Sequence, residues 1–275
     1  MIGLGHALSL ALAPQEVVTP PFVGALDEYT TGLVHAFSSE NRLLTAHEGG
    51  CFRVREDMGN TQSVIGFDGD GKFDATAFKS FIGGGNGFGV RWINQTGGND
   101  FIQTDDATKQ GQILNVAETG WMLRCDEPND GYPSIGNISR PFTIYVVARG
   151  FALNGRIVGS TDTNSLIHLT RTDGANAYIN GGVGNYPMPL NESHLGVITA
   201  VSGIGASYYV DGTNKTSSPG NTNSWGSGFA IGSYTYFSET AGSDICEILV
   251  YNVAHDNAQR SAIEAVLMSL RGITP

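Results

Sequence analysis

The sequence predicts an all-β protein, an antiparallel sandwich that ends in one helix. From Pro141 onward, short apolar or alternating runs recur roughly every 8–15 residues and are separated by Gly, Asn and Asp turns, the spacing of a sandwich. The chain has 38 glycines in 275 residues and only 15% charged residues, a composition of many turns and short strands. Residues 242–272 hold an apolar run followed by a helical pattern, and such a helix must bury its stripe on the sandwich.

The first 24 residues predict an extended arm outside the sandwich. Its apolar side chains would anchor it to another subunit, and they are Ile2, Leu4, Leu8, Leu10 and Leu12. No Lys or Arg precedes the apolar run, which argues against a secretory signal peptide, and the run is too short to span a membrane.

The next elements are predicted from spacing. Leu26, Tyr29, Leu33 and Phe37 recur at a helical interval, with acidic residues in the first turn, and predict a helix over 26–37. The segments "CFRVRED" and "TQSVIGF" alternate and predict two strands joined at Met58-Gly59-Asn60.

A short helix is predicted after this hairpin. Asp74 is a suitable N-cap, Phe78 and Ile82 share a face, and Gly83 ends the helix. The segment "NGFGVRWINQTGGND" then resumes as strand and loop.

Hairpin turns and the last helix complete the pattern. The pairs Asp173-Gly174 and Asp211-Gly212 tolerate positive φ and predict tight hairpins. Asp256 can cap a helix after the closing strand "DICEILVYN", and one apolar stripe follows at Ile263, Val266, Leu267 and Leu270. We divide the chain into the arm (1–24), an N-terminal segment woven into the sandwich (25–112) and a sandwich core with the C-terminal helix (113–275).

Composition excludes some functions. A net charge of −11 without clustered Lys and Arg argues against nucleic-acid binding and against an anionic membrane surface. Cys51, Cys125 and Cys246 are too sparse for a disulfide framework or a zinc site, and they predict buried free thiols.

Several motifs resemble known families. The order "GFAIG", loop, "EILVYN" and helix, together with the hairpin "YYVDGT", resembles the end of concanavalin A-like, laminin G-like domains. Residues 26–103, with "RVR…IGF", an Asp-rich turn, "GNGF" and "NQTGGND", resemble the fungal arabinofuranosidase B-type catalytic domain, and more so related modules of bacteriophage structural proteins. The resemblance implies a concanavalin A-like antiparallel jelly-roll sandwich with a few short helices.

The catalytic acids of that glycosidase family are missing at the matching positions. The resemblance places the nucleophile near Ile167 and His168, and the acid near Gly232-Ser233-Tyr234, where no carboxylate stands. A retaining glycosidase needs two carboxylates about 5 Å apart. Glu247, with Asp244 and Glu239 nearby, could substitute, although a solvent-facing strand Glu is the simpler interpretation.

Two further groups could bind ligands. Asp68, Asp70 and Asp74 offer oxygens to Ca²⁺, but Asp-Gly turns and a helix cap explain the same residues, so we expect no cofactor. Exposed aromatic rings can stack on sugars while an amide takes the hydroxyls, and the candidates are Trp225, Tyr186, Tyr234, Tyr236 and Asn185.

Taken together, the sequence and its resemblances predict a bacteriophage virion accessory protein, a head decoration or tail component at the particle surface, without enzymatic activity. Its partners would be other virion proteins through the arm, further copies of itself and cell-surface polysaccharide. Two alternatives stay open, an arabinofuranosidase-like glycoside hydrolase and a secreted lectin.

Overall fold

A computed structural model describes residues 21–104, 106–117, 119–126, 130–133, 135–151, 157–160, 165–168, 175–179, 182–186, 189–218, 225, 228–232 and 242–275. Within some short strands of this part only the backbone is described, at residues 166, 168, 175, 176, 178, 179, 182, 185 and 186.

The described residues form two α-helices, two short 3-10 turns and eighteen strands. The helices are α1 (Ala75–Ile82) and α2 (Asn257–Arg271), and the 3-10 turns are Asp27–Tyr29 and Ala107–Lys109. The strands are β1 (Leu33–Ser38), β2 (Phe52–Glu56), β3 (Gln62–Ile65), β4 (Gly87–Trp92), β5 (Phe101–Ile102), β6 (Gln112–Val116), β7 (Gly120–Cys125), β8 (Gly131–Tyr132), β9 (Phe142–Gly150), β10 (Val158–Gly159), β11 (Ser165–His168), β12 (Ala175–Ile179), β13 (Gly182–Tyr186), β14 (Ser193–Val201), β15 (Gly205–Val210), β16 (Thr213–Asn214), β17 (Ala230–Gly232) and β18 (Ser243–Tyr251).

These strands make two antiparallel sheets. The large sheet has the order β16-β15-β14-β9-β18-β7-β6-β4-β2-β3, with β1 also paired to β18 and β5 to β4. The small sheet has the order β13-β12-β11-β10-β17-β8. The predicted all-β sandwich is confirmed.

The inner face of the large sheet packs on the small sheet. Side chains such as Phe52, Val146 and Ile245 from the large sheet meet Ile167 and Ile231 from the small one, all fully or almost fully buried. Inward and outward residues alternate along each strand, so the same strands present a second set of side chains to the opposite face.

Helix α2 covers part of this opposite, outer face of the large sheet. Ile263 and Leu267 pack against Tyr145, Val147 and Leu249 in a second buried cluster. The terminal helix therefore buries the apolar stripe that the sequence predicts, and the molecule has three layers.

The start of α2 is capped as expected. The Asp256 carboxylate accepts a hydrogen bond from the Gln259 backbone N–H (2.8 Å), and the Asp256 backbone N–H donates in turn to Gln259 Oε1 (3.3 Å). Gly272 ends the helix at φ +64°, a left-handed conformation that glycine adopts without steric cost.

The helix predicted over 26–37 is wrong. A 3-10 turn at Asp27–Tyr29 is followed by β1, which pairs with the central strand β18. Ala36 packs in the outer cluster while Phe37 packs in the inner one, so β1 is buried on both faces. A strand buried on both faces shows no alternation, and its apolar residues can fall by coincidence at a helical interval.

The helix predicted over 74–83 is confirmed as α1. The Asp74 carboxylate accepts from the Ala77 N–H (2.9 Å), and Gly83 ends the helix at φ +58°. The hairpin at Met58-Gly59-Asn60 is also confirmed, since β2 and β3 pair on either side of it.

Strands from both predicted segments share the large sheet, since β1 of the first pairs with β18 of the second. The boundary near residue 112 and the arm remain predictions, because Ile2, Leu4, Leu8, Leu10 and Leu12 lie outside the described residues. The turn Asp173-Gly174 also lies outside them, whereas Asp211-Gly212 does turn the chain between β15 and β16.

Among the described helices, none has the length and apolar character needed to cross a bilayer.

Candidate functional site

Trp225 is the sugar-stacking candidate whose side chain can be located, and it is fully buried. Its ring lies against Phe142 (6.0 Å between centroids) and Phe229 (5.5 Å) in the inner core. The expectation of an exposed Trp225 is therefore corrected: its polar neighbours in the sequence turn the chain while the ring fills the core.

The other stacking candidates lie outside what is described. Tyr186 and Asn185 belong to β13, where only their backbone is placed, and Tyr234 and Tyr236 lie outside the described residues. Their proposed role remains a prediction.

The acidic turn before α1 is explained by local hydrogen bonds. The Asp68 carboxylate accepts from the backbone N–H groups of Asp70 (3.0 Å) and Lys72 (2.9 Å), and Asp74 caps α1. No group of three or more metal-ligating side chains is found in the part of the chain that the structure describes.

The strand pattern led us to expect a solvent-facing Glu247, and this is wrong: Glu247 is 1% exposed, beneath the end of α2. Arg271 donates to both of its oxygens from Nε (2.9 and 2.8 Å), and Ser38 Oγ donates to it at 2.9 Å. Buried in this ion pair, Glu247 has no access to a substrate. Glu239 lies outside the described residues.

Asp244 is also buried, and two arginines hold it. Arg124 donates from Nε (2.7 Å) and Nη2 (2.9 Å), and Arg149 donates from Nε (3.0 Å). The bond to Asp244 raises the pKa of the Arg124 guanidinium. Because one carboxylate faces two guanidinium groups, this cluster keeps one positive charge.

A polar cleft lies where the chain passes from the large sheet to the small one, between Cys125 and Gly131. Its volume is about 340 Å³. The lining side chains are amides, a hydroxyl, an aromatic ring, a guanidinium and two carboxylates, contributed by Arg55, Phe88, Ala107, Thr108, Gln110, Gln112, Asp126 and Asp130. This mixture suits a ligand with many hydroxyl groups.

The two carboxylates of the cleft differ in exposure. Asp130 is 3% exposed, and one of its oxygens accepts from the backbone N–H of Asp126 (3.1 Å), whose own side chain is exposed. Burial raises the pKa of the adjacent Cys125 thiol, and the negative charges of Asp130, Asp244 and Asp126 raise it further.

Asp130 lies beside the segment in which the resemblance leads us to expect a catalytic acid. Gly232, at the end of β17, pairs with Gly131 of β8. A Cβ atom placed on Gly232 would stand 2.5 Å from the Asp130 carbonyl oxygen, so the two strands touch at this point. Ile167, beside the matching nucleophile position, is fully buried in the core.

Arg55 forms one wall of the cleft, and its hydrogen-bond partners among the described residues are neutral groups. It donates from Nε to Gln110 Oε1 (2.7 Å), from Nη1 to Asn60 Oδ1 (2.9 Å) and from Nη2 to the Ala107 carbonyl (3.2 Å). Its guanidinium carbon lies 4.8 Å from the centre of the Phe88 ring. Among the described residues no carboxylate forms an ion pair with Arg55.

Cys51, Cys125 and Cys246 are all buried and form no disulfide, which confirms the prediction of free thiols. The sequence did not single out Arg55, Asp126 or Asp130. The segment "CDEPNDGY" is an acidic turn between two strands, and this is the sequence signal that could have indicated the two carboxylates. Nothing in the segment itself indicates that Arg55 lies across the cleft from them.

Neither the known family models nor the curated proteins contain a match to this chain. Solved structures do match. An arabinofuranosidase complexed with arabinofuranosyl-α-1,2-xylobiose superposes with a TM-score of 0.69 over 90% of this chain and 65% of its own, at 13% identity. A mutant GH54 α-L-arabinofuranosidase soaked with 4-nitrophenyl α-L-arabinofuranoside gives 0.68 over 90% and 66%, at 14% identity.

A third structure, a GH54 α-L-arabinofuranosidase soaked with a cyclic sulfate inhibitor, gives a TM-score of 0.67 over 90% of this chain and 66% of its own, at 13% identity. The chain thus spans about two thirds of the length of these enzymes. At such low identity the likeness establishes the fold, a β-sandwich of the kind found in these glycosidases.

These comparisons overturn the prediction of a virion accessory protein without enzymatic activity. The three structures described above, each matching nine tenths of this chain, are arabinofuranosidases, which are glycoside hydrolases. Nothing in the comparisons supports a phage protein, a laminin G-like domain or a virion location. That prediction rested on the resemblance to phage modules, for which the comparisons give no support, and on the absence of an acid at two matching positions.

Proposed function

We propose that this protein is a glycoside hydrolase whose cleft is lined by Arg55, Phe88, Gln112, Asp126 and Asp130. The observation that carries the proposal is the pair Asp126 and Asp130, two carboxylates of unequal exposure in one polar cleft. The shared fold with arabinofuranosidases supports it.

The chemistry requires one group to give a proton and another to attack or to activate water. One carboxyl group protonates the glycosidic oxygen as the bond to the anomeric carbon breaks, and the second stabilises that carbon covalently or directs a water molecule to it. Two carboxylates in different surroundings are suited to such divided roles. Asp130, next to Gly232, takes the place of the acid that the resemblance expects one strand away.

The remaining residues would orient the sugar. Gln112 Nε2 donates to Asn86 Oδ1 (2.9 Å), and Gln110 Nε2 donates to the Gln103 carbonyl (2.8 Å), so both amides are fixed in direction. Fixed donors and acceptors cost less ordering when a hydroxyl-rich ligand binds.

The test is release of 4-nitrophenol from a panel of 4-nitrophenyl glycosides that includes the α-L-arabinofuranoside. We expect turnover by the intact chain and a loss of roughly 10²–10⁴-fold in rate for Asp130→Asn and for Asp126→Asn, the range of general acid–base catalysis. Asp70→Asn, an exposed carboxylate outside the cleft, is the matched control and should keep the rate.

Circular dichroism of each variant shows whether the fold is retained. The proposal fails if no glycoside is cleaved, or if folded Asp126→Asn and Asp130→Asn proteins keep the full rate.

A further inference from the structure

The outer face of the large sheet carries a row of side chains that leads into the cleft. Direct cross-strand partners run Arg149–Asp244–Arg124–Gln112–Phe88–Arg55 over β9, β18, β7, β6, β4 and β2. Directly opposite residues of paired strands point to the same face, about 5 Å apart. We call these six residues the cross-strand row.

The cleft is the end of the row at which Arg55, Phe88 and Gln112 stand, with Asp126 and Asp130 closing it. Arg124 and Gln112 are neighbours on β7 and β6, so the charged middle of the row adjoins the cleft directly. A polymer lying in the cleft can therefore continue along the row.

This row is positively charged, although the chain as a whole carries a net charge of −11. Arg124 and Arg149 share one carboxylate, and Arg55 has none among the described residues. Arg53 and Arg91 stand opposite each other on the same face beside Arg55, and of these two Arg91 is paired, with Asp100. Among the described residues, the acids on or beside the row include Asp244 and Asp100, both in ion pairs, and the two cleft carboxylates.

Arg55 has unused donors. A guanidinium has five N–H groups, and three of those on Arg55 bind the neutral acceptors described above. A positive charge fixed by neutral groups on the wall of a cleft is held ready for an anion, since a guanidinium binds a carboxylate through parallel N–H donors.

We propose that the ligand is an acidic polysaccharide whose sugar units carry carboxylate groups, with Arg55 and the Arg124–Arg149 pair receiving them. This inference rests on the proposed glycan cleft and adds the class of substrate. The cleft carboxylates would repel a carboxylate placed on them, so the charged groups of the polymer must point towards the row while the scissile bond faces Asp126 and Asp130.

Affinity electrophoresis and calorimetry of the full chain test this without requiring catalysis. The probes are polygalacturonate and hyaluronan, carboxyl-reduced polygalacturonate as the neutral form of the same polymer, and dextran sulfate as an anion of different chemistry. We expect binding to the carboxylated polymers, at least 10-fold weaker binding to the reduced one, and weakening as NaCl is raised because salt screens exposed charges.

Arg55→Gln should weaken binding of polygalacturonate about 10-fold, the loss expected for one charge-assisted contact of roughly 1.4 kcal/mol. Lys79→Gln, on the exposed face of α1, removes the same charge elsewhere and should leave binding unchanged. Equal binding of the reduced polymer, an unaffected Arg55→Gln protein or a preference for dextran sulfate would overturn the inference. Hydrolysis of neutral glycosides without acidic binding would leave the proposed function standing, whereas acidic binding without hydrolysis would refute only that function.

Discussion

Arg271 holds together residues that are distant in the sequence. Besides Glu247 it contacts Glu40 from Nη1 (2.7 Å), Ser39 Oγ from Nη2 (3.1 Å) and the carbonyl of Thr119 (2.8 Å). Its side chain and that of Glu247 are each 1% exposed. A buried ion pair of this kind is costly to break, because the remaining charge stays away from water.

We predict that Arg271→Met lowers the free energy of unfolding by about 3–5 kcal/mol, because it leaves the buried Glu247 carboxylate without its ion-pair partner. Urea denaturation measures it. The double variant Arg271→Met/Glu247→Leu removes both charges and should recover much of the loss. A single variant within about 0.5 kcal/mol of wild type, the range of a surface change, would contradict this role.

The hydrogen bonds around His35 fix its protonation state. Asn94 Oδ1 accepts from the backbone N–H groups of Ala36 (3.0 Å) and Thr96 (3.1 Å), so its Nδ2 donates to His35 Nδ1 (2.8 Å). That ring nitrogen must therefore carry no proton. Burial lowers the pKa of His35 below its ordinary value of 6.5.

This histidine predicts a loss of stability on mild acidification. Between pH 6.5 and the lowered pKa of the folded state, His35 is protonated in the unfolded chain but neutral in the folded one. The free energy of unfolding therefore falls as the pH falls through this range. Urea denaturation at pH 7.5 and 5.5 should show a smaller pH dependence for His35→Gln than for wild type. An unchanged pH dependence would show that His35 does not contribute.

Among the elements, α2 shows how local sequence and tertiary packing agree. The Asp256 cap at its start and its apolar stripe were predicted from the sequence, and both are found in place. Such agreement is expected where an element contacts its neighbours through a single face.

Removing the cap gives a prediction of modest size. Asp256→Ala should lower the free energy of unfolding by about 1 kcal/mol, because the backbone N–H of Gln259 loses its side-chain acceptor. Thermal and urea denaturation measure the change, and Asp70→Ala, an exposed turn residue, is the control. A loss equal to that of the control would mean that α2 is stabilised by packing alone.

Strand β1 shows the opposite case. Its residues pack into both buried clusters, so its apolar residues follow neither the two-residue period of a half-buried strand nor the 3.6-residue period of a helix. The helix predicted for this segment was therefore wrong. Only the pairing of β1 with β18, more than two hundred residues later, explains why this segment is extended.

For the whole molecule, the fold class followed from the sequence but the site did not. Turn spacing, glycine content and the terminal helix predicted the sandwich. The cleft joins Arg55 to Asp126 and Asp130 through the register of β2, β4, β6 and β7, and register depends on long-range packing that one sequence does not display. The prediction that Trp225 is exposed was wrong for a related reason, because a side chain within a polar stretch of sequence can still be buried in the core.

Because Arg271 belongs to the last helix, Glu247, Glu40 and Ser39 are synthesised before their shared partner exists. On the ribosome the strand pair β1–β18 would keep an uncompensated charge at its Ser38–Glu247 end until the final turn of α2 emerges from the exit tunnel. Folding of this sandwich is thereby tied to the completion of translation through residue 271.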